Sequence, residues 1–443
     1  MRTVNPNKKQ MYKCCRVRRR RDRFSELPDG LLDKILGCMP TLDAARLAVL
    51  STLWRDTWFS ITTLDFDMDF FNHIRDKYSR YYCNNDRRTR KLMYDNHSID
   101  TLVSESLYII NKIIMHHSGP VRKFRFLFGC CDFGSLNSRM FDIYQWLMFV
   151  TQKGVEEIHL KIDEEDGFML PNCIFSCPTL RRLRIHGSYY DTVDAPRNLL
   201  NLTSLCFEDV DFEPSGHAIN APMLEDLSFY SCNETMFHFN ITAPKLGKLT
   251  MEGCSYHQTN GYLPVNYSSW ECVHTLVLDG YSIMKFFARF TRRGLPLQPP
   301  QLLNVEYLML LDDPLEFDIY EFYTVMGDIS PTFIHLLELC PKLCELHMDV
   351  SIIEMLGDCL GTRSELSEYL YRVARKRNLL HTMILSDVPY RGEIETWLSG
   401  IKGLLACFPT LEKLVIRKQF NLKAIKKILH FPRASPKIEI FFI

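Results

Sequence analysis

The chain has 443 residues, of which 46% are hydrophobic and 24% charged, and Lys/Arg balance Asp/Glu at 53 each. This is the composition of a soluble globular protein, long enough for roughly three domains or for one solenoid. No run approaches the ~18 apolar residues of a membrane span, and the basic N-terminus has no apolar segment behind it, so no secretory leader is expected. The expected location is the nucleus and/or the cytoplasm. The 16 cysteines include no C-x-x-C. Cys173/Cys177 and Cys340/Cys344 lack a second half at zinc-like spacing, so buried thiols are expected rather than metal ligands.

Residues 1–23 carry ten Lys/Arg and one acid, Asp22, which leaves the rest of the chain mildly acidic. Such a tail reads as a solvated disordered segment, an import signal, or a tether to nucleic acid or an acidic membrane; the first is the commonest. Phe24–Ser60 predicts three short helices. Asp29–Cys38 follows Pro28 and carries Leu31, Leu32, Ile35 and Leu36 at helical spacing. Met39-Pro40 ends it. Thr41 is placed to cap a second helix reaching about Leu50. Ser51 is placed to cap a third, with Trp54 and Trp58 four residues apart on one face. Three short helices make a weak core, so the module is expected to dock on something.

Residues 61–120 read as a linker and helical connection, with a polar stretch at Lys77–Asn96 that includes the basic cluster Arg87–Lys91. His116-His117 before Gly119-Pro120 marks a helix end, where histidine suits the C-terminal dipole. Beyond it a pattern repeats: LRRLRI at Leu180–Ile185, LTSLCF at Leu202–Phe207, LEDLSF at Leu224–Phe229 and LGKLTM at Leu246–Met251. Leu183, Leu205, Leu227 and Leu249 each follow the last by 22 residues. Looser copies flank them at Val155–Leu160, Val273–Leu278, Val305–Leu310, Leu343–Met348, Leu380–Leu385 and Leu411–Ile416. Their spacing stretches from 25 to 38 residues, with extra loops such as Ser255–Trp270 and Arg292–Gln301.

A central L-x-L is a short strand whose alternate side chains point inward. One such strand cannot bury its face, so stacked copies make a parallel sheet with the connections returning outside. Ala-Pro or Cys-Pro pairs before several copies favour an extended entry. The pattern resembles a leucine-rich-repeat solenoid. The intervening positions should line its concave face, and the candidate target-binding residues there are Arg182, Arg184, His186, Glu208, Asp226, Tyr230, Lys248 and Glu252. The set is mixed and polar. There is no G-x-S-x-G, P-loop, G-x-G-x-x-G or H-E-x-x-H, so neither a catalytic centre nor a cofactor is expected.

The string FSELPDGLLDKILGCMPTLDAARLAVLSTLWRDTW resembles an F-box, the motif that docks on the Skp-type adaptor of cullin-based ubiquitin ligases, and is close to the plant version. Leu27-Pro28, Leu31, Ile35-Leu36, Leu42, Ala45, Arg46, Val49-Leu50-Ser51, Trp54-Arg55 and Trp58 carry the match. In plant members the two residues after the serine are often basic; here they are Thr52-Leu53. HHSGPVRKFRF, YQWLMFVTQKGVEEIHL and LPNCIFSCPTLRRLRI are similar to linking segments of plant F-box/leucine-rich-repeat proteins. GLLACFPTLEKLVI and ILHFPRASPKIEIFF resemble the FBD region that closes many of them.

The resemblance implies an α/β chain with a small N-terminal three-helix F-box followed by a leucine-rich-repeat solenoid with a curved parallel sheet. The implied divisions are a disordered basic tail (1–23), F-box (24–60), linker (61–120), repeats (121–378) and FBD-like region (379–443). It implies adaptor-binding residues Leu27, Pro28, Leu31, Ile35, Leu36, Leu42, Leu50, Ser51, Trp54 and Arg55. Trp54 and Arg55 are expected to face the adaptor, and Trp58 to pack between the module and the following chain. The implied role is the non-catalytic substrate-recognition subunit of an SCF-type ligase, with a Skp-type adaptor, a cullin through it, and a target protein as partners. Neither a membrane nor a nucleic acid is an expected partner. The alternative is a non-ligase repeat scaffold, in the nucleus, with a tail that contacts nucleic acid.

Overall fold

The computed structural model describes residues 27–85, 96–129, 140–162, 170–187, 189–190, 197–212, 218–232, 240–254, 272–280, 282, 302–311, 330–349, 352–353, 356, 365–376, 379–386, 394–417 and 422–443. The basic tail, the Arg87–Lys91 cluster and the loops Ser255–Trp270 and Arg292–Gln301 lie outside the described residues.

Among the described residues one sheet holds thirteen strands. They are β1 (Thr63–Phe66), β2 (Lys123–Phe128), β3 (Glu157–Ile162), β4 (Arg182–His186), β5 (Ser204–Glu208), β6 (Asp226–Tyr230) and β7 (Lys248–Glu252), followed by β8 (Thr275–Asp279), β9 (Tyr307–Leu311), β10 (Glu345–Asp349), β11 (Thr382–Ser386), β12 (Lys413–Arg417) and β13 (Glu439–Phe442). Each pairs in parallel with the next, so chain order is spatial order. The register puts Leu183, Leu205, Leu227 and Leu249 side by side. That column continues through Leu276, Leu308, Leu346, Met383 and Leu414, all of them buried. A second buried column runs Ile185, Phe207, Phe229, Met251, with Phe207 and Phe229 stacked. The 22-residue period is thus a sheet register: each copy returns a leucine to the same depth.

Repeat length decides what returns on the far side. The helices are α1 (Asp29–Gly37), α2 (Thr41–Leu47), α3 (Thr52–Trp58), α4 (Met68–Asn85), α5 (Asn96–His116) and α6 (Met140–Gln152), then α7 (Asn172–Phe175), α8 (Ser330–Leu339), α9 (Glu365–Arg375), α10 (Ile394–Cys407) and α11 (Leu422–Leu429). In the described parts of the 22-residue repeats no helix returns. Short strands Arg197–Asn198, Ala218–Asn220 and Asn240–Thr242 pair in parallel behind the main sheet instead. A shorter connection has no room for a helix rising only ~1.5 Å per residue.

The 22-residue period also fixes the turn after each strand. Gly187, Asp209, Ser231 and Gly253, spaced 22 residues apart, all take positive φ between 51° and 67°. This lets the Gly187, Asp209 and Ser231 N–H groups donate to the next strand's Glu208, Tyr230 and Glu252 carbonyls. Only glycine adopts that conformation without cost.

The segment 61–120 supplies β1, and 379–443 supplies β11–β13, so one sheet spans Thr63 to Phe442. Buried residues from Leu32 to Ile438 form a single core cluster. The cysteines follow the expectation of small buried hydrophobes in part. Cys177, Cys232, Cys254, Cys340 and Cys407 are buried, whereas Cys38 and Cys272 are exposed.

Candidate functional site

The N-terminal helices form the first candidate surface. Leu32 and Leu36 of α1, Ala44 of α2 and Trp54 of α3 are buried and join the core of the sheet. Leu27, Ile35, Leu42, Leu47, Leu53 and Trp58 pack half-buried against them. The Ser51 hydroxyl accepts the Trp54 N–H at 3.3 Å and caps α3. Pro40, rather than Thr41, stands at the cap position of α2, where its carbonyl accepts the Asp43 and Ala44 N–H groups. The Thr41 hydroxyl is thereby available to accept the buried Asp65 N–H of β1 at 2.6 Å. Asp33 accepts the Thr62 N–H and hydroxyl, both at 3.0 Å. Two helices thus satisfy groups on the open edge of the sheet, which an exposed edge strand would leave to a passing chain.

α2 stops at Leu47, and the turn that follows throws Val49 and Leu50 outward, 85% and 71% exposed. Leu31 is 45% exposed, and Pro28 and Arg55 are also on the surface. The residues expected to meet an adaptor therefore divide. Pro28, Leu31, Leu50 and Arg55 are accessible, Leu27, Ile35 and Leu42 half so, and Leu36 and Trp54 lie inside. Trp54, at 9% exposure, does not share a surface with Arg55, because it fills the space between the three helices and the sheet. Val49 carried the F-box match but was not among the expected adaptor-binding residues, and it is the most exposed apolar side chain of the module. Its signal was an apolar pair directly before a capping serine, too far from both helix faces to be buried.

The second surface is the open face of the sheet. Arg182, Ser204, Asp226 and Lys248 lie side by side, as do Arg184, Cys206, Ser228 and Thr250, and His186, Glu208, Tyr230 and Glu252. The expected target-binding residues are therefore brought together on one face. Many are engaged with their neighbours. Arg182 holds Glu157 at 2.6 Å, Arg184 holds Glu208 at 2.6 Å with His186 at 3.3 Å on its other oxygen, and Lys248 reaches Asp226 at 3.5 Å. Burial pushes the Glu157 and Glu208 carboxyls up, but hydrogen bonds and charge from Lys123 and Arg182, and from Arg184 and His186, hold them below the usual glutamate value.

His159 sits between Arg125 and Arg184 in the middle column. Its burial, followed by the two guanidinium charges, brings its pKa down to about 4, so it is neutral near pH 7. Farther along, charge turns acidic. Burial and the nearby Asp279 raise the Glu252 carboxyl. Asp279 is buried, accepting the Gly253 and Ser282 N–H groups and so tying two loop entries. Ser386 accepts from His347 Nε2 at 2.5 Å and donates to Asp349 at 2.6 Å. The serine stands between the acid and the imidazole, so the histidine is not placed between carboxylate and nucleophile as a hydrolytic triad requires. No group of side chains among the described residues could hold a metal ion, and no helix among them is long and apolar enough to cross a membrane.

A three-helix module clasped to the edge of a long parallel repeat sheet defines the F-box/leucine-rich-repeat class. The comparisons agree. Residues 24–62 match the family described as F-box domain. An F-box/FBD/LRR-repeat protein of Arabidopsis thaliana is 25% identical over 95% of this chain and 98% of its own length. A putative F-box protein of the same plant is 27% identical over 90% of this chain and 74% of its own. An F-box/LRR-repeat protein is 28% identical over 52% of this chain and 67% of its own. The chain carries an F-box domain and is a homologue of plant F-box/FBD/leucine-rich-repeat proteins over most of its length.

Proposed function

We propose that this protein is the substrate-recognition subunit of an SCF-type cullin ubiquitin ligase. The observation that carries the reading is the exposed apolar set Leu31, Val49 and Leu50 on a module whose own core is already filled. Those side chains have no structural use in the isolated chain, and an adaptor groove would bury them. The open face of the sheet, with Arg182, Arg184, His186, Glu208, Asp226, Tyr230, Lys248 and Glu252, is the proposed target surface. Because the F-box is hydrogen-bonded to β1, a target on that face is held at a fixed distance from the ligase. Catalysis would be a matter of proximity, raising the effective concentration of a target lysine at an activated thioester carried by another subunit. The chain itself supplies no catalytic group in this reading. The site of action is the nucleus and/or cytoplasm.

Co-expression with a Skp-type adaptor tests the reading directly. Stable co-purification is expected, and failure to bind an adaptor that binds other F-boxes would sink it.

A further inference from the structure

The two ends of the sheet are finished differently. At the start, where the F-box helices pack on β1, Leu64 and Phe66 are fully buried. At the far end, Ile440 and Phe442 of β13 continue the same two inward columns beside Leu414 and Ile416, yet both are only half-buried. Among the described residues no strand lies beyond β13. We infer that this end is a self-association surface, on which a second copy of this chain seats its own β13 and α11 around a two-fold axis.

The end presents two layers. On β13 the Glu439 and Ile443 N–H groups donate to β12, to the Glu412 carbonyl at 2.8 Å and the Ile416 carbonyl at 3.0 Å. Alternation along the strand then turns the N–H and C=O groups of Ile440 and Phe442 to the open edge. On α11, Ala424 and Ile428 are buried, and Lys427 reaches back to Glu395 of α10 at 2.6 Å. At about 100° per residue, Leu422, Ile425 and Leu429 fall on the flank away from α10, the same side as the open edge. Leu422 is 69% and Leu429 46% exposed, and on the strand Phe441 is 40% and Ile443 76% exposed. Ile440–Ile443 carries none of the devices that protect a natural edge: no proline, no charge and no bulge.

The geometry selects a second copy as the occupant. The free backbone groups are self-complementary: a two-fold axis through Phe441 sets Ile440 opposite the second copy's Phe442, each pair exchanging both N–H···O bonds. The occupant must also bring an apolar helix flank beside its strand, which a lone extended peptide lacks and another copy supplies. Like charges stay apart. Lys423 and Lys427 lie toward α10 and Lys426 points away from the core, while Glu439 falls opposite Ile443 rather than a second Glu439. Head-to-tail stacking is closed off, because the Thr41 hydroxyl and the Asp33 carboxylate already engage Asp65 and Thr62 at the β1 end. An isologous pair therefore closes on itself instead of growing a filament. A strand about 16 Å long and a two-layer end about 20 Å deep bury on the order of 500 Å² per copy. That is below the ~800 Å² of a standard interface, so the dimer is reversible, in the micromolar range. The inference is independent of adaptor docking at the other end of the sheet.

Sedimentation equilibrium of the full-length protein from about 1 to 100 μM tests it. A monomer–dimer equilibrium is expected, with no larger species. Leu429→Asp, on the exposed flank of α11, should weaken it about tenfold or more with an unchanged melting temperature. Ile440→Pro should do the same, since it removes an edge N–H and leaves the hydrogen bonds to β12 in place. Lys423→Glu, on the α10 side of α11, should leave it within about twofold. Under a mild oxidant Phe441→Cys should cross-link into a dimer above the background of the exposed Cys38 and Cys272, because the axis sets the Phe441 Cα about 4.5 Å from its copy. Glu439→Cys should not cross-link. Three results overturn the inference: a monomer throughout the concentration range; a dimer that Leu429→Asp leaves intact; or cross-linking at Glu439→Cys equal to that at Phe441→Cys, which would mean that no two-fold passes through Phe441. Adaptor co-purification measured on the same variants should be unaffected, which separates this result from the fate of the ligase reading.

Discussion

Trp54 and Leu50 lie four residues apart and do opposite things. Trp54 fills the junction of three helices and the sheet, so Trp54→Ala should cost about 3 kcal/mol or more, read as a lower urea midpoint. Leu50 is exposed, so Leu50→Asp should leave the urea midpoint in place. It should weaken adaptor binding by at least tenfold, since a buried anchor is commonly worth about 2 kcal/mol or more. Loss of adaptor binding in a folded Leu50→Asp protein, measured by co-purification, separates docking from folding. His159 carries a pH signature. Its folded pKa of about 4 lies below the unfolded value of 6.5, so only the unfolded chain takes up the proton between them. Stability is then fully present above pH 6.5 and is lost as pH falls toward 4. Relative to His159→Gln, the wild type should lose about 1 kcal/mol between pH 7.5 and pH 5, the full shift being discounted because the ring is partly solvated, measured by urea unfolding at the two pH values.

Elements are joined here by backbone requirements that spacing alone does not advertise. A Cβ on Gly119 would meet the Ser60 carbonyl oxygen at 2.7 Å, because the Ser118 N–H donates to the Phe59 carbonyl at 2.8 Å and draws the end of α5 against the end of α3. The His-His-Ser-Gly-Pro string was legible as a helix end, and α5 does end at His116. Its second use, as a seam between the F-box and the sheet, depends on a residue 59 positions away. Thr41→Val should cost about 1–3 kcal/mol by leaving the buried Asp65 N–H without an acceptor, and hydrogen exchange at Asp65 should accelerate. In the repeats, Gly187→Ala should cost about 1 kcal/mol or more because of its positive φ, measured by thermal unfolding.

The molecule as a whole behaves as one sheet with a capped start. The FBD-like region is structurally a continuation of the repeats: β11–β13 extend the same register, and Trp397, Leu404 and Phe408 lie in the common core. Removing residues 379–443 should therefore strip the cover from β10 and leave an aggregating protein, seen as a void-volume peak on gel filtration; a monodisperse, folded truncation would show that the region is a separate unit. The F-box performs the matching service at the other end, where Thr41 and Asp33 close the edge of β1.

The sequence by itself determined what is local and periodic. The 22-residue leucine register, the alternation of inward and outward residues, the Ser51 cap and the F-box string were all readable, because each is fixed by strand period, turn chemistry or a short motif. Tertiary structure alone decided which apolar residues were left over and which charges met. Trp54 went inside because its face of α3 packs into the common core, and Val49 and Leu50 stayed outside because α2 stops short of them. Lys427 and Glu395, 32 positions apart in the chain, met because successive repeats stack their helices side by side. Outside the repeat period, burial and the meeting of distant side chains are properties of packing, which spacing along the chain does not encode.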